Sequence, residues 1–188
     1  RDIGRQKDCW VTAEPLSDLE IGKAAEHLVV ADLILSGYRA YLTDQGVPYD
    51  VVLDCASSLF RVQVKATRAA RKLPGKRALG TGYLFQVRRA GKGGRRVYAD
   101  DEFDIIALVA LDIRVIAYLP FSESVLQTIH LRPPGYQHHA RAERRRNIDQ
   151  FPIEAALAVL TSKRPVLAQP QSSPRLVAME QPRLFETA

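Results

Sequence analysis

The amino-acid sequence predicts an α/β fold in which a central mixed β-sheet is flanked by helices. Three observations support this prediction: a helical pattern with start and stop signals near the N-terminus, several short apolar or alternating segments in the middle, and a second helical pattern near the C-terminus. This order of elements is typical of a sandwich of helices and strands. At 188 residues the chain is long enough for one domain with a substantial core.

The first helix is predicted over residues 18–36. It opens with Ser17-Asp18-Leu19-Glu20, a capping box in which Ser17 caps the helix and the Glu20 side chain reaches back. Apolar residues follow through Leu35, and Gly37 fits a helix C-terminal stop. We expect residues 1–16 to be irregular.

A β-hairpin is predicted to follow this helix. The segment FRVQVKA at 60–66 alternates between apolar and polar residues, which is typical of a half-buried strand. The loop CASSL joins it to a preceding strand, PYDVVLD at 48–54. Further strands are predicted at 81–87 and 95–99, around a glycine-rich turn, and at 103–111 and 114–120.

The other segments are predicted as loops, short helices and a tail. Residues 67–80 are basic and are expected to form a mobile loop, and residues 130–148 are expected to be irregular. A short helix is predicted near 122–127, and a final helix at 151–160 with Asp149 as one candidate cap. Four prolines after Ser162 indicate a flexible tail, so the folded domain is predicted to span 1–161 and the tail 162–188.

Composition excludes several classes of protein. No apolar run approaches the roughly 20 residues needed to cross a bilayer, and the first residues carry no apolar signal core. Two cysteines, Cys9 and Cys55, do not make a disulfide framework. A cytoplasmic protein without a membrane partner is the simplest interpretation.

The basic charge is concentrated in one block. Of 27 Lys and Arg residues, 12 lie between Cys55 and Ala99, where no Asp or Glu occurs, which leaves 15 against 21 acids elsewhere. Such a block indicates a polyanionic partner, since phosphate contacts dominate nucleic-acid affinity, although a solvated surface is the alternative. The residues predicted to contact DNA are Arg68, Arg71, Lys72, Lys76, Arg77, Arg88, Arg89, Lys92, Arg95 and Arg96.

Four polar residues could form one site. Glu26 lies on an apolar line of the first helix, where a carboxylate is costly to bury without a cation or hydrogen-bond donors; a helix-edge Glu with its tip in water is the alternative. If the hairpin loop centres near 56–57, Asp50 lies across from Gln63 or Val64. Strand alternation then places Gln63 and Lys65 on one face, although such a pattern alone also fits polar residues facing water.

These residues carry a resemblance to a known family. The motifs G-x-x-A-E at 22–26, Y-D at 49–50 and V-Q-V-K at 62–65 occur in the order found in the PD-(D/E)XK nuclease superfamily. The chain resembles its small endonucleases, including homing endonucleases that carry Gln in the third motif. The resemblance is specific over residues 18–67 and looser beyond.

The resemblance implies a restriction-endonuclease-like core and a set of catalytic residues. Glu26 and Asp50 would hold Mg²⁺, which Mn²⁺ could replace, with Gln63 standing where most members have Asp or Glu. Lys65 would be the catalytic lysine. The expected function is a metal-dependent DNA endonuclease; the alternatives are a nuclease-fold DNA-binding module without catalysis and a Holliday-junction resolvase. A homodimer or homotetramer is expected, because double-strand cleavage needs two sites.

Overall fold

A five-stranded mixed β-sheet forms the centre of the protein. The computed structural model describes residues 15–44, 46–55, 58–73, 80–91, 94–96, 98–99, 101–121, 127–137 and 146–163. Its elements are, in chain order, α1 (Asp18–Leu35), β1 (Arg39–Leu42), β2 (Val51–Cys55), β3 (Ser58–Thr67), β4 (Arg71–Lys72), β5 (Thr81–Gln86), β6 (Arg89–Gly91), β7 (Gly94–Arg96), β8 (Ile105–Ala110), β9 (Val115–Pro120), β10 (Thr128–Leu131), a 3₁₀ turn (Ile148–Gln150) and α2 (Ile153–Lys163).

Helix α1 begins and ends where its sequence predicts. The Ser17 hydroxyl accepts a hydrogen bond from the backbone N–H of Glu20, and the Glu20 carboxylate accepts from the N–H of Ser17 at 2.7 Å. At the other end, the N–H of Tyr38 donates to the carbonyl of Leu33, and Gly37 adopts a φ of +90°. This Schellman arrangement satisfies carbonyls that the last turn would otherwise leave unpaired.

The central sheet has the strand order β1-β2-β3-β8-β9. Strands β3 and β8 pair in parallel and the other neighbours are antiparallel, which makes the sheet mixed as predicted. Every residue of β8 is buried, because apolar layers cover both of its faces. The continuous apolar run at 103–111 thus corresponds to a strand in the interior of the sheet.

Different layers cover the two faces of this sheet. Both helices pack on one face, where Val29 of α1 and Leu157 of α2 join side chains such as Val62. The smaller sheet β10-β5-β4 covers the other face, with Tyr83 and Phe85 packed over β8. The fold is therefore the restriction-endonuclease-like α/β arrangement that the resemblance implies, with its two described helices on the same face.

The structure corrects several predicted elements. Strands β1, β4 and β10 lie in segments for which no strand was predicted, and β5 pairs with β4 and β10 rather than with residues 95–99. The hairpin turn is shorter than CASSL, since pairing extends to Cys55 and Ser58. Leu19 is 78% exposed, because the buried line of α1 runs through Ile21, Ala25, Val29 and Leu33.

Some predictions fall partly outside the described residues. Helix α2 continues to Lys163, two residues past the predicted boundary at 161, and residues 164–188 of the predicted tail lie outside the description. The same holds for residues 122–126 of the predicted short helix and for residues 1–14. Within the described ranges, no helix has the length and apolar character to cross a membrane.

Candidate active site

The register of the β2–β3 hairpin places Asp50 beside Gln63. Val51 pairs with Val62, and the N–H of Asp50 donates to the carbonyl of Val62 at 2.9 Å. One residue further along each strand, Asp50 and Gln63 come opposite each other. The prediction that a hairpin centred on residues 56–57 brings them together is confirmed.

The Asp50 carboxylate is held by groups of β3. Its Oδ2 accepts the N–H of Val64 at 2.8 Å and also the side-chain amide of Gln63. Burial raises the pKa of Asp50 above its ordinary value, and the negative charge of Glu26 acts in the same direction. The N–H of Val64 and the positive charge of Lys65 oppose that rise in pKa. Asp50 is therefore a half-buried acid whose pKa responds to a carboxylate and to cations.

Glu26 reaches the same place from α1. It lies beside the buried Ala25, and its carboxylate accepts from the ammonium of Lys23 at 3.0 Å. Glu26 and Asp50 both line one open cleft of about 600 Å³. The acidic and basic residues that line this cleft are Glu20, Glu26, Asp44, Asp50 and Lys23. Four acids against one base make the cleft attractive to a cation.

Gln63 is buried, at 6% exposure, on the face of the sheet opposite α1. Its Nε2 donates to Asp50 Oδ2 and lies 3.2 Å from the carbonyl oxygen of Val64. Both contacts use the nitrogen of the amide, so the oxygen Oε1 is the atom that remains for a cation or a water. The buried glutamine fixes the acid beside it.

Lys65 points to the same face of the sheet as Gln63. Their neighbours on β8, Leu108 and Ile106 respectively, both belong to the core under the smaller sheet. Its ammonium donates to the hydroxyl of Tyr98 at 2.8 Å. It also lies 5.2 Å from the centre of the Tyr98 ring. Its positive charge opposes the rise that burial causes in the pKa of Asp50.

The donor set fits a hard divalent cation. Asp50 and Glu26 present carboxylate oxygens to one cleft, and no described residue donates to Oδ1 of Asp50. Mg²⁺ prefers oxygen ligands and is commonly held by one or two carboxylates and several waters. Among the described residues no group of three or more His, Cys, Asp or Glu could hold a metal. The fit to a divalent cation therefore rests on the carboxylates of Asp50 and Glu26.

Three of the predicted DNA-contacting residues are exposed, and one of them, Arg68, has partners at the start of α1. Arg71 and Lys72 are exposed on β4, an edge strand of the smaller sheet. Arg68 donates to the carbonyl of Leu16 at 2.6 Å and lies 3.5 Å from the Asp18 carboxylate. The free positive charge near α1 is therefore smaller than the sequence indicates.

Internal partners also engage other cations of the basic block. Arg88 donates to the side chain of Gln127, and its buried Nε meets no hydrogen-bond partner in the described part of the chain. Arg61 forms an ion pair with Asp104 at 3.1 Å, which raises the pKa of Arg61. The β6–β7 hairpin carries Arg89, Arg95 and Arg96, whereas Lys76, Arg77 and Lys92 lie outside the described residues.

Sequence reasoning missed two residues of the site. The ion pair of Lys23 with Glu26 was not predicted, although a spacing of three residues is typical of such a pair on a helix. Tyr98 is separated from Lys65 by 33 residues, and only the packing of the sheets brings them together. No local pattern could have indicated that contact.

Comparison with known proteins agrees with this fold and this motif order. The family model described as PD-(D/E)XK endonuclease matches residues 17–151, so the chain belongs to that family. The bacterial homing endonuclease I-Ssp6803I has a similar solved structure, with a TM-score of 0.56 and 20% identity over 78% of this chain and 95% of that one. At this identity the similarity is one of fold. No curated protein matches the chain significantly.

Proposed function

We propose that the protein is a divalent-metal-dependent DNA endonuclease that hydrolyses internal phosphodiester bonds, with Mg²⁺ as its metal. The observation that carries the proposal is the contact of Asp50 with Gln63, with Lys65 on the same strand face as Gln63 and Glu26 from α1 lining the same cleft as Asp50. Family membership and the fold of a homing endonuclease support it.

Each residue has a separate role in this proposal. Asp50 and Glu26 hold the metal through their carboxylates, with Oε1 of Gln63 as a further oxygen. A divalent cation bound there supplies charge neutralisation at the phosphate and an activated water. Lys65 places its positive charge at the phosphate, where it stabilises the charge that develops during hydrolysis. Gln63 and Val64 hold Asp50 in place through their N–H groups.

The charge distribution supports DNA as the substrate. The cleft is acidic and suits a cation, so it does not itself attract the DNA backbone. The exposed Arg71 and Lys72, together with the basic residues of 74–79 and 88–96, supply the positive surface that holds the phosphates. Arg68 and Arg88 can take part only if DNA replaces their present partners.

A plasmid cleavage assay tests the proposal. We expect supercoiled plasmid to become nicked or linear with Mg²⁺ or Mn²⁺, and to stay intact with EDTA. Glu26→Gln should abolish the cutting, whereas Glu154→Gln, at an exposed acid of α2 that does not line the cleft, should not. DNA binding without cleavage under all metal conditions would favour a non-catalytic DNA-binding module. Selective cutting of four-way junctions would favour a resolvase.

The number of sites per molecule supports an oligomer. A chain with one such cleft must act with a second copy to cut both strands of a duplex, so we propose a homodimer or homotetramer. Light scattering of the protein with and without a DNA duplex gives the number of chains. A monomer that still produces linear plasmid directly would contradict this part of the proposal.

A further inference from the structure

The hydroxyl of Tyr98 occupies a fixed position beside the ammonium of Lys65. Tyr98 is 6% exposed, and its ring packs edge-on against Phe103, with ring centres 4.9 Å apart. Phe103 in turn lies 4.1 Å from Phe121, measured between ring centres. These rings belong to the core between the two sheets, so the Tyr98 hydroxyl cannot move without disturbing that core.

A lysine side chain needs such support more than most groups. Its long stem loses rotamer freedom when it is fixed in one conformation. The Tyr98 hydroxyl accepts from Lys65 at 2.8 Å, so part of that ordering is complete before any substrate is bound. A charge that is already in position stabilises a transition state without the cost of reorganisation.

We propose that Tyr98 is a positioning residue that holds the ammonium of Lys65 in place, on the strand face it shares with Gln63, before DNA binds. The inference rests on the proposed function, because it assigns Tyr98 to the chemistry of the same site. Tyr98 acts through Lys65 and does not itself contact the phosphate. Through this contact the segment at residues 98–99 contributes to the site, although Tyr98 lies 33 residues from Lys65 in the sequence.

Tyr98→Phe removes the hydroxyl and keeps the ring. We expect kcat for plasmid cleavage to fall about tenfold, the scale of one hydrogen bond to a charged group, with KM for DNA nearly unchanged. Tyr83→Phe is the matched control, because Tyr83 is a buried tyrosine of the same core whose hydroxyl donates to Asp112 at 3.2 Å. That control should cleave at the wild-type rate.

A double-mutant comparison separates positioning from general support of the fold. If Tyr98 acts through Lys65, Tyr98→Phe should change nothing further in a Lys65→Met background. An equal loss of rate in both backgrounds would show that Tyr98 only stabilises the fold, and would overturn the inference.

A second measurement does not depend on cleavage. In protein with ¹⁵N-labelled lysine, the ammonium signal of Lys65 should be sharp in wild type and in Tyr83→Phe, and broadened in Tyr98→Phe. An unchanged signal in Tyr98→Phe would overturn the inference. If wild type fails to cut DNA while the signal depends on Tyr98, the holding contact stands and the proposed nuclease function fails.

Discussion

The side-chain amide of Gln63 donates to Oδ2 of Asp50, the same oxygen that accepts the N–H of Val64 at 2.8 Å. Two donors from β3 thus hold an acid that precedes β2. The amide of Gln63 carries no charge, so it stabilises the Asp50 carboxylate without adding to the negative charge of the cleft.

Gln63→Glu should make stability depend on the metal. The change replaces the amide donor by a second carboxylate next to the half-buried Asp50, and without a cation like charges repel. Loss of the hydrogen bond costs about 1–3 kcal/mol, and each kcal/mol shifts Tm by roughly 2–4 °C for a chain of this size. In EDTA we therefore expect Tm several degrees below wild type, with most of the difference recovered in Mg²⁺.

Gln127→Glu is the control for that experiment, because it adds the same charge beside Arg88, away from the cleft. Its Tm should respond to Mg²⁺ as wild type does. We also expect Gln63→Glu to keep its cleavage activity and to reach half-maximal rate at lower Mg²⁺. Loss of both metal binding and activity would show that Gln63 does something other than complete a cation site.

Asp50→Ala should reduce cleavage to the rate of wild-type protein in EDTA, because it removes the principal ligand of the metal. Binding of DNA, measured in EDTA by fluorescence anisotropy, should change little. Asp54→Ala is the control, since Asp54 lies on β2, which Asp50 precedes, but lines a separate cavity and faces Arg39 at 4.0 Å. Wild-type cleavage by Asp50→Ala would remove Asp50 from the mechanism.

Lys65→Met should separate rate from affinity. Methionine keeps most of the stem and removes the charge, so we expect the single-turnover rate to fall about 100-fold or more while the Kd for DNA stays near the wild-type value. Lys72→Met, at an exposed position of β4, should instead weaken binding without changing the rate at saturation. Parallel losses of rate and affinity in Lys65→Met would mean that Lys65 only contacts phosphate.

The sequence predicts the part of the site that is local in the chain. Asp50, Gln63 and Lys65 lie on one hairpin, and because strand pairing has a period of two residues, its turn alone decides which side chains meet. Glu26 could be assigned to the site only from the order of the family motifs. The apolar pattern of α1 did not identify its buried face, because Leu19 is exposed and the buried line runs through Ile21 and Ala25.

The missing parts depend on contacts between distant segments. Strand β1 has four residues, and β10 lies among polar residues, so neither carries a pattern long enough to stand out. The contact between Lys65 and Tyr98 depends on packing, because Tyr98 lies in the core between β8 and the smaller sheet. A count of charges in the sequence has the same limit, because it includes cations that form internal ion pairs. Arg61 belongs to the basic block, but Asp104 neutralises its charge.

The last prediction concerns the basic surface. Arg71 and Lys72 are exposed on an edge strand, and Lys76 and Arg77 follow them in the sequence. Changing all four to Ala should weaken binding to every DNA sequence alike, because phosphate contacts position a protein and carry little sequence information.

The plot of log affinity against log salt should also become less steep, by about 0.9 for each phosphate contact that is lost. Arg39→Ala is the control, since this side chain is 80% exposed but belongs to β1, outside the basic block; its salt slope should match wild type. Preference between different target sites should survive in the quadruple variant, because base recognition would come from other residues, with the turn at 88–96 as the first candidate.

An unchanged slope in the quadruple variant would mean that β4 and the residues after it face away from DNA. The charge argument for the substrate would then fail, while the carboxylate cleft and Lys65 would still support metal-dependent phosphodiester chemistry.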